Sequence, residues 1–347
     1  MAIKTRTERR PWRETPLVES CNLTKAAGCR IFLKLENLQP SGSFKSRGIG
    51  NFCQQTLNRS EHPDKVHFYS SSGGNAGLAC VHAANTLGRP STVVVPTSTK
   101  PHMVDKIKAA GASEVIQTGA HWSEADAYLR EQLMARAEAS GEQPVYVHPF
   151  NHDDTFAGHS TMIDEISKQL AAQGEDAPDA VVCSVGGGGL LTGVSQGVER
   201  QGEGWAKTQI VAVETEGANA LAASLEAGEL VTLPGITSLA TSLGAVRVVD
   251  HAFQVADKGS ETGRVSSVVL SDAEAAMGCW RLADEERILV ELACGVSVAL
   301  CFGSRLEKAL GRPVRPDDKV VMVVCGGSNI STDMMEAYKA QFGDVEA

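Results

Sequence analysis

Four short stretches of the chain place chemistry-bearing residue types where strands run into helices. The densest is Val181-Val-Cys-Ser-Val-Gly-Gly-Gly-Gly-Leu-Leu-Thr-Gly193, an apolar run that enters four glycines and then a helix-type segment. Glycines let backbone N–H groups approach a ligand closely. A helix start adds unpaired donors and the positive end of the macrodipole, and the combination suits a phosphate. A flexible turn is the plain alternative. A dinucleotide fits poorly, because G-x-G-x-x-G begun at Gly186 needs glycine at Leu191, and begun at Gly187 needs it at Thr192. Glu214, ending the next strand, lies 28 residues beyond Gly186 rather than the usual ~20 of a ribose-binding acid. No G-x-x-x-x-G-K-[ST] occurs, so NAD and ATP are minor readings.

The second stretch, Lys34-Leu-Glu-Asn-Leu-Gln-Pro-Ser-Gly-Ser-Phe-Lys-Ser-Arg-Gly48, puts Lys45 after a turn and at the start of a helix. A cation there opposes the helix dipole, so stability alone favours Asp or Glu. A helix start and a desolvated pocket both lower an amine pKa, which makes a nucleophile suited to imine chemistry. A solvated surface lysine is the alternative. The third stretch, Ser70-Ser-Ser-Gly-Gly-Asn-Ala-Gly77, offers N–H groups, hydroxyls and an amide for a carboxylate, although the same residues serve ordinary turns and caps. The fourth, Cys325-Gly-Gly-Ser-Asn329, offers a thiol where a last strand ends. His148, His152 and His159 with Asp153 and Asp154 are read as loop residues with satisfied or surface histidines rather than a metal cluster.

The elements that must position these stretches alternate. Strands are expected at 65–70, 91–95, 113–117 and 144–147, with helices at 76–87, 103–109 and 123–138 between them. The alternation restarts with a strand at 180–185, a helix at 190–199 and a strand at 209–213, and it closes with a strand at 319–324. Two α/β units with parallel sheets follow, with a break near Pro149–Asp154 and a strand at 31–35 that fits either unit.

Composition narrows the partners. The 347 residues include 42% hydrophobic ones, 34 glycines against a usual share near ~7%, and 32 Lys+Arg against 42 Asp+Glu, a formal −10. That balance argues against nucleic acid and anionic membrane and favours small molecules. The apolar stretch from Ala180 to Val194 is broken by Ser184, Thr192 and five glycines, so no membrane span is expected. Nine cysteines without a C-x-x-C pair point to a reducing compartment, and Met1–Arg10 lacks the apolar core of a secretory signal; its arginines leave an organelle transit peptide as the alternative to the cytoplasm, which is favoured.

Taken in order, Ser41-Gly-Ser-Phe-Lys-Ser-Arg-Gly48, Ser71-Ser-Gly-Gly-Asn75, Gly186-Gly-Gly-Gly-Leu190 and Cys325-Gly-Gly-Ser-Asn329 resemble the fold type II pyridoxal-phosphate enzymes, within them the serine/threonine dehydratases and nearest the eukaryotic L-serine dehydratases. The resemblance spans nearly the whole chain and implies a tryptophan-synthase-β-like fold: two open, twisted, mainly parallel α/β domains with the cofactor in the cleft between them. It implies a large cofactor-binding domain of residues 1–39 plus 151–347 and a small substrate-closing domain of residues 40–150. Lys45 would carry pyridoxal 5'-phosphate and Phe44 would pack on its ring. Asn75 would bond its 3-hydroxyl, Gly186, Gly187, Gly188, Gly189 and Leu190 would hold its phosphate, and Cys325 would face the pyridine nitrogen. Ser72, Gly73, Gly74 and Asn75 would hold the substrate carboxylate. A monovalent cation such as K+ would sit at Gly186, Glu214, Ala218, Leu243 and Ala245, mostly on backbone carbonyls.

The implied reaction is β-elimination of L-serine to pyruvate and ammonia, Lys45 taking the Cα proton, with L-threonine to 2-oxobutanoate as second activity. Gly73 stands where serine dehydratases usually have alanine and serine racemases a serine, which would enlarge the pocket or loosen substrate orientation. The chain ends 18 residues beyond Asn329, without room for the regulatory domain of biosynthetic threonine dehydratases, so a catabolic role that feeds gluconeogenesis is expected, in a homodimer. The rivals are β-replacement by a thiol and a non-catalytic protein that binds the cofactor and amino acids.

Overall fold

The computed structural model describes residues 10–345. The targeting reading of Met1–Arg10 therefore falls, Arg10 apart, outside the described residues. The strands are β1 Leu17–Glu19, β2 Arg30–Lys34, β3 Val66–Ser70, β4 Ser91–Val95, β5 Glu114–Gln117, β6 Gln143–Tyr146, β7 Ala180–Ser184, β8 Gln209–Thr215, β9 Val265–Leu270 and β10 Lys319–Val323. They fall into two compact units, and both sheets are mainly parallel α/β, as expected.

Unit 1 takes the stretch through Arg13 with Gln39–His159. Its four strands are ordered β5-β4-β3-β6, all parallel. Helices Lys45–Arg59 and Asn75–Leu87 pack with Val66 and Phe68 into one apolar cluster, and Met103, Val104 and Ile107 pack with Val93 and Val95 into another. Buried on both faces, Ser91–Val95 carries three consecutive valines rather than an alternating pattern. The helix expected at 123–138 is instead Trp122–Ala127 and Met134–Ala139 joined by a π-helical turn, Tyr128–Leu133.

Unit 2 takes Glu14–Leu38 with Ser160 onward. Its six strands are ordered β1-β2-β10-β7-β8-β9, and only β1 runs antiparallel. The strand that fitted either unit is thus β2, paired with β10. The division between the units falls at His159, inside helix Asp153–Ala172, beyond the polar stretch Pro149–Asp154. Among the described residues all nine cysteines are free, and no helix is long and apolar enough to cross a membrane.

Strand order fixes where loops diverge. In unit 1 the chain steps from β3 to β4 to β5 and then places β6 on the other side of β3. In unit 2 it steps from β7 to β8 to β9 and places β10 on the other side of β7. Each pair, β3/β6 and β7/β10, is a switch point, and crevices outside the carboxyl ends of such strands are where open α/β sheets bind ligands.

One close helix pair carries part of the second crevice. Helices Asp272–Glu286 and Leu292–Val298 touch backbone to backbone, since a Cβ on Gly278 would lie 2.1 Å from Gly295 O and one on Gly295 2.2 Å from Ala275 O. Gly278→Ala is expected to overpack this crossing by about 2 kcal/mol and to lower the unit's Tm by about 4–8 °C, read by calorimetry. An unchanged Tm would refute the contact.

Candidate active site

Lys45 begins helix Lys45–Arg59, with Phe44 at the N-cap position and no side-chain cap. Its Nζ donates to Pro149 O at 2.7 Å and lies 5.1 Å from the Phe44 ring centroid and 5.9 Å from that of Phe150. Pro149 follows β6, so the amine stands at the β3/β6 switch point of unit 1. The Ser71–Gly74 loop leaves β3 at the same edge. The sequence marked Pro149 as a break and His148 as a loop histidine, but gave no sign that this loop meets Lys45.

That loop is braced from both sides. Ser71 Oγ donates to Asp126 Oδ1 at 2.6 Å, and Tyr146 OH donates to the same oxygen at 2.5 Å. Asp126 comes from helix Trp122–Ala127 and is buried. Ser72 Oγ accepts from Gly74 N at 3.3 Å, which leaves its own proton as a donor. Asn75 opens helix Asn75–Leu87, and a Cβ on Gly77 would lie 1.9 Å from Ser72 O, so the helix's first turn presses on the loop backbone. The larger pocket expected from Gly73 is corrected here. A Cβ at 73 would meet Thr99 Cγ2 at 2.9 Å and Val95 Cγ1 at 3.2 Å, so those side chains fill the space that the missing methyl leaves.

The histidines divide. His148 lies in the loop after β6, where its Nδ1 accepts from Phe150 N at 3.2 Å and Asn151 N at 2.9 Å. Burial, reinforced by the Lys45 charge, lowers its pKa to about 4. His159 is not in a loop: it lies buried in helix Asp153–Ala172, its ring 4.9 Å from that of Phe44. Its burial, with Lys45 and Arg47 nearby, holds its pKa well below the usual value. Among the described residues no group of acids, cysteines and histidines could hold a metal ion.

In unit 2 the glycine run leaves β7 at the β7/β10 switch point. Gly188 is the N-cap of helix Gly189–Arg200 at φ 91°, and a Cβ there would lie 2.4 Å from that of Ala252, so both backbone angle and space demand glycine. Thr192 N bonds Gly188 O at 2.9 Å, and by helix geometry the N–H groups before it have no intrahelical acceptor. Leu190 is buried.

Cys325 follows β10 on the neighbouring strand. Ser184 Oγ donates to its Sγ at 3.6 Å, and the thiol donates to Ala293 O at 3.7 Å. A hydrogen bond with Cys294, then burial, keeps its pKa well above the ordinary value, so it stays a neutral thiol. Glu291, which sequence reasoning passed over, is buried at the start of helix Leu292–Val298 and accepts from Asn329 N at 3.2 Å. A Cβ on Gly327 would lie 2.0 Å from its carboxyl carbon, which explains a glycine in the Cys325–Asn329 loop. The only sequence signal for Glu291 is an acid immediately before an apolar helix.

Glu214, next to last in β8, is fully buried and accepts from Leu221 N and Ala222 N, each at 2.8 Å. Burial raises its pKa to about 7 against those two bonds. Ala218 bridges Thr215 beside it. A Cβ on Gly186 would lie 3.3 Å from Leu243 O, which also accepts from Ala245 N at 2.7 Å. Of the five residues expected at a cation, Gly186 thus stands beside Leu243, and Ala218 beside Thr215.

The donor sets fit a phosphate-bearing aldehyde: N–H groups without an intrahelical acceptor before Thr192, a neutral thiol after the adjacent strand β10, and in unit 1 an amine at a switch point. Comparison with known proteins agrees. A model of the family described as pyridoxal-phosphate dependent enzyme matches residues 9–326. An L-serine dehydratase of Saccharomyces cerevisiae (strain AWRI1631) is 44% identical over 322 residues, 91% of this chain and 94% of the yeast protein. A catabolic L-serine/threonine dehydratase of Saccharomyces cerevisiae (strain ATCC 204508 / S288c) is 42% identical over 332 residues, 94% of this chain and 90% of that protein. The crystal structure of a fungal L-serine ammonia-lyase from Rhizomucor miehei superposes with a TM-score of 0.85 at 34% identity, covering 96% of this chain and all of that one. With the match to the family model spanning nearly its whole length, the chain belongs to the pyridoxal-phosphate dependent enzymes.

Proposed function

We propose that this chain is an L-serine dehydratase that converts L-serine to pyruvate and ammonia, with L-threonine to 2-oxobutanoate as its second activity. The observation that carries the reading is the Lys45 amine, held by Pro149 O at the same sheet edge as the Ser72–Asn75 loop. The relatives named for serine support the substrate. Pyridoxal phosphate, when bound, supplies the electron sink that makes the substrate Cα acidic. Lys45 would bear it, with Phe44 against its ring and Asn75 on its 3-hydroxyl. Gly186 to Leu190 would hold its phosphate, and Cys325 its pyridine nitrogen.

The chain's own residues do the rest. The Ser72 hydroxyl, the N–H groups of Gly73 and Gly74, and the Asn75 amide bind the substrate carboxylate. Lys45 Nζ takes the Cα proton, with Pro149 O orienting the amine lone pair. The Cys325 thiol donates a hydrogen bond but keeps its proton, because its pKa is raised. A thiol therefore stabilises negative charge on its partner less than an acid would, which favours prompt loss of the β-hydroxyl. Residues 40–150 form the substrate-closing domain in this reading, and residues 1–39 with 151–347 the cofactor-binding one. A homodimer in the cytoplasm with a catabolic, gluconeogenic role completes it.

Purified, cofactor-loaded protein given L-serine is expected to release pyruvate and ammonia in equal amounts. Lys45→Ala should lower kcat by about 10³-fold or more. Added thiol should leave the products unchanged. Thioether formation would replace the reading with β-replacement, and a serine-responsive absorbance without keto acid would replace it with sensing.

A K+ site at Gly186, Glu214, Ala218, Leu243 and Ala245 belongs to the same proposal. Its supports are a set of hard oxygen donors and the nearness of Gly186 to Leu243 O. The sign of its pH dependence follows from Glu214. With a pKa raised to about 7, its carboxyl is protonated on the acid side and competes with the cation. Apparent K+ affinity should rise about tenfold per pH unit up to pH 7 and level off above. Titration of activity and Tm with KCl at pH 6, 7 and 8 checks this, and affinity independent of pH would remove Glu214 from the site.

A further inference from the structure

The chain leaving β6 makes a turn whose geometry is set by one side chain. Pro149 has no N–H, so the first two backbone donors after His148 are those of Phe150 and Asn151, and both converge on His148 Nδ1, at 3.2 and 2.9 Å. In a planar trans peptide, N–H and C=O point in opposite directions. Fixing the Phe150 N–H toward His148 therefore fixes the Pro149 carbonyl, the other half of the same peptide unit, away from it. That carbonyl receives the Lys45 amine at 2.7 Å.

We propose that His148 is a positioning residue for Lys45, its Nδ1 aiming the Pro149 carbonyl at the lysine amine. The inference rests on the role proposed above for Lys45. An accepting Nδ1 requires the neutral ring with its proton on Nε2. The charged and titratable groups around the ring are Lys45, Arg130, Asp126 and His152, and burial together with the Lys45 charge favours the neutral form. The ring is also clamped edge-on, 4.7 Å from that of Phe150 and 6.0 Å from that of Tyr146, so its orientation follows from packing rather than from the two hydrogen bonds alone. The Phe150 ring, turned by the same peptide, stands 5.9 Å from Lys45 Nζ.

The test uses two amides that place their oxygen differently. His148→Asn puts Oδ1 where Nδ1 stands, whereas His148→Gln reaches the Nε2 position, and His148→Leu removes the acceptor but keeps bulk. A packing role would favour Gln over the smaller Asn; the positioning role reverses that order. In the cofactor-loaded full chain, Asn should keep kcat for L-serine within about threefold, while Gln and Leu should lose about 10- to 100-fold in kcat with KM changed less than threefold. The primary isotope effect with Cα-deuterated serine should grow in Gln and Leu, because the proton transfer is what slows. Hydrogen exchange of the Phe150 and Asn151 amides gives a readout apart from turnover: protection should persist in Asn and be lost in Gln and Leu. Gln equal to wild type, or equal losses in all three variants with amide protection unchanged, would overturn the proposal. A wild type that makes no pyruvate yet shows the expected protection pattern overturns the dehydratase reading and leaves the turn standing.

Discussion

The arrangement of both units depends on parallel strand order. A parallel sheet delivers all its carboxyl ends to one edge, and where consecutive connections depart to opposite sides, the two loops separate and leave backbone donors without partners. Here this happens twice, at β3/β6 and at β7/β10. Every loop singled out for chemistry leaves one of those four strands: Ser71–Asn75 leaves β3, His148–Asn151 leaves β6, Gly186–Gly189 leaves β7 and Cys325–Asn329 leaves β10. Lys45 is the exception in sequence but not in space, since its amine reaches the β6 loop through Pro149 O. The inner strands β2, β4 and β8, largely buried on both faces, serve to hold these edges still.

Protonation states follow from what surrounds each buried group. The Lys34 ammonium is fully buried and bound by Glu165 and Thr15 O, each at 2.7 Å, and by Gln169 at 3.0 Å, an ion whose partners compensate for its lost hydration. Its environment is that of a structural lysine. Groups at the switch points are held neutral instead: His148 by burial and the Lys45 charge, Cys325 by its bond to Cys294 and burial. Glu214 lies between these cases, with two backbone donors that favour the carboxylate and a burial that outweighs them. A neutral donor or acceptor can orient a partner without adding a fixed charge beside the reacting atoms.

Legibility followed periodicity. Parallel strands such as Ser91–Val95 and Ala180–Ser184 are buried on both faces and were readable as short stretches with consecutive valines, followed closely by proline or glycine. The glycine loops were readable because glycine marks close approach. What escaped was long-range or carried no pattern. β1, the only antiparallel strand among the described residues, is three residues long. The π-helical turn Tyr128–Leu133 follows no rule of composition, and it carries Arg130, whose guanidinium lies 5.4 Å from the Tyr146 ring centroid. Asp126, Pro149 and Glu291 matter through partners distant in the chain, as with Asp126 and Ser71, 55 residues apart. The effect of Gly73 was misjudged for the same reason, because Thr99 reaches its site from beyond β4.

The remaining local conflict explains itself only through function. A lysine in the first turn of a helix opposes the dipole, and helix Lys45–Arg59 has neither an acidic residue in that turn nor a side-chain cap to offset it. A sequence selected for stability alone would place Asp or Ser there. The structure instead meets the amine with a carbonyl and two aromatic faces, partners that hold a cation or a neutral amine with little preference imposed by a fixed negative charge. A carboxylate in place of Pro149 O would stabilise the helix and the ammonium together, and would raise the pKa of the amine. Local rules fail at Lys45 in the direction that spares its nitrogen a fixed negative charge and meets it with a carbonyl instead.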